Sequence, residues 1–166
     1  MNIKKILILF LILLPFTAIA DSQFVTLEQD KNHYNLGRSL YILEDKSGNI
    51  TFDNIIRNEY SSRFVKNETD APNYGFTSST FWARFEINNP AAISRLMYLE
   101  IAYPLLDLIE LYIPGPGNEF QKKTGGYDYT FNNRELNYRN VVFTINVQPG
   151  NNFYYVKIKS SGTVTF

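Results

Sequence analysis

The chain has no cysteine, a single histidine, two methionines and no run of like charge in its 166 residues. Without cysteine there is no disulfide framework and no thiolate nucleophile, and without several His or Cys ligands there is no zinc site. A Ser-His-Asp arrangement would have to use His33, which sits in the polar stretch Asp30-Lys31-Asn32-His33-Tyr34-Asn35 and reads as solvated. Asp107 and Glu110 are the tempting carboxylate pair for glycoside hydrolysis. Three positions apart in an extended strand, they point to opposite faces and read as solvated charges. Glu44-Asp45-x-Ser47-Gly48-Asn49 lacks the carboxylates of a calcium loop and reads as a turn. The expectation is a protein that is not an enzyme and uses no cofactor. Sixteen basic and sixteen acidic residues balance to zero, so the electrostatic footprint of a nucleic-acid partner is missing.

Long apolar runs are scarce too. The only one is residues 6–14, nine residues ended by Pro15, preceded by Lys4-Lys5 and followed by Ala18-Ile19-Ala20. A membrane-crossing helix needs about 20 apolar residues. This layout is that of a secretory signal peptide cleaved after Ala20. The expected organisation is a signal peptide at 1–20, an N-terminal extension or first edge strand at 21–39, and one domain at 40–166. The product is expected to be exported, to the periplasm or the outer face of the inner membrane, with no transmembrane helix after the signal peptide. Residues 21–166 suffice for a core without covalent staples.

What is abundant is aromatic: twelve Tyr and thirteen Phe. With Ile, Val and Thr they favour strands. Strand patterns recur at 24–27, 40–43, 63–66, 80–88, 95–103, 108–113, 119–123, 127–131, 141–147 and 153–159. Turn residues stand between them at Asp45-Lys46-Ser47-Gly48-Asn49, Asn89-Pro90, Pro114-Gly115-Pro116-Gly117 and Pro149-Gly150. Thr51 caps a short helical stretch over 52–58, with Phe52, Ile55 and Ile56 on one side. Many short strands at this spacing predict an all-β antiparallel β-sandwich or barrel. The alternation Thr163-Val164-Thr165-Phe166 begins a strand with no turn after it, so the domain is expected to be incomplete at its C-terminus. A fragment or truncation of a longer protein is preferred over a free-standing periplasmic relative.

The clearest strand, residues 80–88, puts Phe81, Ala83, Phe85 and Ile87 on one face, with Trp82, Arg84, Glu86 and Asn88 on the other. The same residues carry a family pattern: Gly75-Phe76-x-x-Ser79-x-x-Trp82-x-Arg84-Phe85-x-Ile87-x-Asn89-Pro90. After it come Leu99-Glu100-Ile101-x-Tyr103-Pro104-Leu105-Leu106-Asp107-x-Ile109-Glu110-Leu111-Tyr112, Thr124-Gly125, Phe131-x-x-Arg134, Arg139-Asn140-x-Val142-Phe143, Pro149-Gly150 and Ser160-Ser161-Gly162. In order and spacing this resembles the extracellular sensor domain (type 2) of bacterial seven-transmembrane receptors with diverse intracellular signalling modules. The resemblance implies a jelly-roll-like sandwich similar to carbohydrate-binding modules. It also implies a ligand-sensing role in signal transduction, for a parent receptor in the inner membrane. One position departs from the pattern: Gly126 stands where the family has Asp after Thr-Gly, and Asp128 follows two residues later.

Sugars lay apolar faces on aromatic rings, and arginine grips carboxylates in two bonds. Trp82, Arg84, Tyr127, Tyr129, Arg134 and Arg139 supply these parts. The expectation is a small-molecule site, for a sugar or organic acid, between the outer face of the 80–88 strand and a 127–139 loop closing over it. The competing reading makes Trp82 a second small core under that loop and pairs Arg84 with Glu100 or Glu110. A free-standing secreted carbohydrate-binding or adhesion module is the alternative function. Pro104 and Asp107 read as a structural bend, with Leu105 and Leu106 plugging the end of the sandwich.

Overall fold

The computed structural model describes residues 24–129 and 134–166. The signal-peptide reading at 1–20 lies outside them, as do Phe131 and the end of the expected 127–131 strand. The described part of that stretch, Tyr127 to Tyr129, forms turns and not a strand.

The chain forms an all-β sandwich. Its eleven described strands are β1 (Val25–Thr26), β2 (Tyr41–Asp45), β3 (Val65–Lys66), β4 (Asn73–Phe76), β5 (Thr80–Asn89), β6 (Arg95–Ile101), β7 (Leu108–Pro114), β8 (Phe120–Gly125), β9 (Val141–Val147), β10 (Gly150–Lys159) and β11 (Thr163–Thr165), with one short helix, α1 (Phe52–Ile56). The large sheet runs β3-β2-β5-β10-β7-β8, with β1 parallel to the second half of β5. Two ribbons, β6-β9 and β4-β11, accompany it.

Alternation decides the core. Phe81, Ala83, Phe85 and Ile87 of β5, Ile109, Leu111 and Ile113 of β7, and Tyr154, Val156 and Ile158 of β10 share one buried cluster. Val141, Phe143, Ile145 and Val147 of β9 join it from the other layer. The turns are held by named side chains. Asp45 is 2% exposed; its Oδ1 accepts from Ser47 N, Ser47 Oγ and Gly48 N, and its Oδ2 from Ile50 N. Asn89, equally buried, donates to Ile93 O and Val147 O and accepts from Ala91 N, which ties the Asn89-Pro90 turn to the end of β9. Both acidic and amide groups thus spend themselves on backbone that the turns leave unpaired.

Thr51 caps α1 as expected, in a reciprocal box with Asn54. The helix stops at Ile56, which is 39% exposed, while Ile55 is buried. In the bend before β7, Leu106 is fully buried. Leu105 is 55% exposed and does not plug the sandwich; it contributes only its carbonyl, to Ser160 Oγ at 3.5 Å. Asp107 Oδ2 accepts from Ser161 N at 2.6 Å, so its carboxylate joins the bend to the strand end after β10. Gly126 has φ +128°, and a Cβ there would stand 2.2 Å from the Asp107 carbonyl oxygen. That close approach suits glycine alone in this chain.

Candidate functional site

The outer face of the large sheet carries the residues the sequence singled out, in two cross-strand rows. One row reads Leu43, Trp82, Lys157, Glu110, Thr124; the next reads Tyr41, Arg84, Tyr155, Tyr112, Lys122. Neighbours in a row sit close enough to interact directly. Helix α1 covers the first row and the Tyr112 end of the second.

The first row is covered. Helix α1 lies across it and reaches the second row, where Phe52 stacks on Tyr112 with centroids 3.8 Å apart and planes 11° from parallel. Phe52 also stacks against Trp82 at 6.3 Å. Leu43, Ile50, Ile55, Phe64, Trp82 and Tyr112 form a second hydrophobic cluster. Trp82 is 0% exposed, so it presents no surface to a ligand. The expectation for Trp82 is corrected on this point: its cover is α1 and the segment around Phe64, not the 127–139 loop. Its Nε1 is buried without a hydrogen-bond partner.

Glu110 belongs to this covered row. It accepts from Lys122 Nζ at 2.9 Å and from Tyr112 Oη at 3.1 Å, with Lys157 Nζ at 3.9 Å. Burial pushes its carboxyl up, but the bonds from Lys122 and Tyr112 and the charges of Lys122 and Lys157 outweigh this and hold it below the usual range. Such a carboxylate is an anchor for its neighbours rather than a proton donor.

The second row opens at Arg84. Its Cζ stands 4.5 Å from the Phe64 ring centroid and 5.5 Å from that of Tyr41. Among the described residues no carboxylate pairs with it. Glu110 is taken by lysines, and Glu100 accepts from Asn140 at 2.5 Å. Two rings thus flank the guanidinium, whose N–H donors lie in its own plane. Beside it, burial raises the Tyr155 phenol while the charge of Arg84 draws it back down. Further along the face, burial alone raises the Glu86 carboxyl, and the Phe153 ring opposite Glu86 is 52% exposed. The result is a shelf with a held guanidinium at one end and an exposed ring beyond it.

The 127–139 loop lies elsewhere. Tyr127 N donates to Leu106 O at 2.7 Å, Glu135 pairs with Lys123 at 2.5 Å and accepts from Thr144 N. The described parts of the loop, 127–129 and 134–139, are therefore held to the bend before β7 and to β8 and β9. Strands β10 and β7 stand between β5 and β8, so about 14 Å of sheet separates the loop's base from Arg84. Arg134 Nη1 donates to the carbonyls of Tyr138 and Arg139, bracing the loop on itself. Tyr127, Tyr129 and Arg139 are exposed. The described parts of the stretch therefore do not close over Trp82 and Arg84; of the six residues, Trp82 and Arg84 are neighbours on β5, and Arg134 bonds Arg139 within the loop. Sequence reasoning missed Tyr41, Phe64 and Tyr155. Tyr41 and Tyr155 were legible from strand alternation, whereas Phe64 follows a short 3-10 turn and carries no periodic signal.

The chain is an all-β sandwich with a cation flanked by two aromatic rings on its outer sheet face. Residues 37–166 match the family 7TMR-DISM extracellular 2, and the chain belongs to that family of extracellular receptor domains. Among curated proteins, none matches the chain. Among the described residues, no helix is long and apolar enough to cross a membrane.

Proposed function

We propose that this domain senses a small anionic ligand, an organic acid or acidic sugar, on the exported side of its receptor's membrane. The observation that carries the reading is Arg84: a guanidinium beside the Phe64 and Tyr41 rings with no acid paired to it among the described residues. A planar, permanently charged fork of this kind grips a carboxylate in two bonds. The exposed Phe153 ring offers an apolar platform for the body of the ligand. The role we read is binding; Glu110, two strands away on the same sheet face, is committed to two lysines and a tyrosine.

Calorimetry of the chain against dicarboxylates, uronic acids and neutral sugars tests the reading. The acids are expected to bind and the neutral sugars to bind less tightly. Arg84→Gln is expected to weaken acid binding about tenfold or more, the usual worth of a hydrogen bond to a charged group. Absence of heat with every acid, or equal affinity in Arg84→Gln, overturns it.

A further inference from the structure

A cavity of about 350 Å³ opens between the large sheet and β6. Its floor is the core face of the large sheet, including Phe85, Ile87, Val156 and Ile158. One wall is formed by six consecutive residues, 97–102. Side chains in a strand alternate between faces, so consecutive residues all line one cavity only when the strand's edge faces it. The burial pattern of β6 agrees, with Leu99 and Ile101 buried and Leu96, Tyr98 and Glu100 exposed. Among the described residues β6 pairs with β9 alone, and its other edge makes no backbone–backbone hydrogen bond.

The opposite wall includes residues 32–37. Arg95 fastens the N-terminal segment to the start of β6, donating to Glu28 O at 2.7 Å and Lys31 O at 2.9 Å. Beyond that clamp the two walls flank a slot. Its only charged lining residues, histidine aside, are Asp70 and Glu100. Arg38 neutralises Asp70 at 2.8 Å, while Glu100 has only the neutral amide of Asn140.

We infer that this slot accepts an extended polypeptide strand from another chain, apolar at alternate positions and basic at those between. Its backbone would bond the free edge of β6, which any sheet edge offers as a template. Its inward side chains would lie on the apolar floor, completing the existing core, and an outward lysine would face Glu100 across the pair. Six residues of edge match the length of an ordinary strand. Glu100, the one lining acid without a cation partner, and the absence of a lining Lys or Arg among the described residues disfavour an anionic lipid or fatty acid in the same space. This inference is independent of the Arg84 reading.

The test uses the whole chain and a labelled, capped heptapeptide alternating Lys and Val, followed by fluorescence anisotropy and amide exchange. Saturable binding is expected, with slowed exchange at alternate amides within 97–101. A block-ordered peptide of the same composition is expected to bind at least tenfold more weakly. So is an alternating peptide N-methylated at the amides of one edge. Glu100→Lys is expected to reverse the preference toward an alternating Glu and Val peptide. No binding by the Lys-Val peptide overturns the inference. So does equal binding of the N-methylated peptide, which would make the slot an apolar small-molecule pocket, or of the block peptide, which would make the attraction charge alone.

Discussion

Phe52 lies flat on Tyr112, 3.8 Å between centroids, though sixty residues separate them in the chain. That contact seats α1 on the outer sheet face and closes Trp82, the only tryptophan, away from solvent. Trp82 fluorescence is therefore expected to be blue-shifted and resistant to soluble quenchers. Phe52→Ala should shift the emission to the red while costing less than the about 3–5 kcal/mol of a fully buried phenylalanine, because Phe52 is half-buried. A quenchable tryptophan in the unaltered protein would contradict the second core.

The bend before β7 separates two adjacent leucines. Leu106→Ala is expected to cost about 2–5 kcal/mol, because Leu106 is fully buried. Leu105→Ala is expected to stay within about 0.5 kcal/mol, as for other exposed sites. Denaturant midpoints of the two variants check this, and similar values for both would refute the described bend.

Tyr154 stacks on Phe85 in the main core at 5.2 Å, and its buried hydroxyl has no hydrogen-bond partner. Burial pushes its phenol up to about 12. A buried polar group left unpaired costs about 1–3 kcal/mol, so Tyr154→Phe should hold or raise the urea midpoint. A clear loss of stability would reveal a partner for that hydroxyl.

Acid should destabilise the fold through particular carboxylates. For Asp45, burial raises the carboxyl, but bonds from Ser47, Ile50 and Gly48 outweigh it and leave it lowered. Glu135 behaves alike, with burial outweighed by Lys123 and Thr144, and Glu110 was described above. A lowered folded value adds stability that is complete above the unfolded value and is lost as pH falls through the folded one. With ordinary values of 3.8 and 4.5, Tm should hold from pH 7 to about 5 and fall below about 4.5. Glu86 has the opposite sign. Burial raises it, so its charged form opposes folding at neutral pH, and the penalty fades as pH falls through its raised value. Glu86→Gln should raise Tm at pH 7 and lose that advantage in acid. Thermal scans across pH measure both trends.

Period-two alternation determined most of the strands and, within β5, β7, β9 and β10, which side chains enter the main core. That pattern is local, set by the backbone's two-residue repeat. Thr51 at the start of α1 and the turn at Asp45 were equally legible, since each bonds within five residues along the chain. The short β4 ribbon was not read, because Asn73–Phe76 is mostly exposed and has no apolar face. That Trp82 belongs to a second small core was one of two readings of the sequence, and the sequence could not choose between them or name its cover. Alternation says that a residue faces away from one core, but not whether something else covers the second face. Only the tertiary fold decided that, by laying Phe52 and Phe64 on the outer sheet and giving Arg84 its rings. Strand order was likewise invisible in the sequence, and it is what put β10 and β7 between β5 and the 127–139 loop. Which strands become neighbours depends on how every apolar face in the domain is buried at once, a global condition that no local window of residues contains.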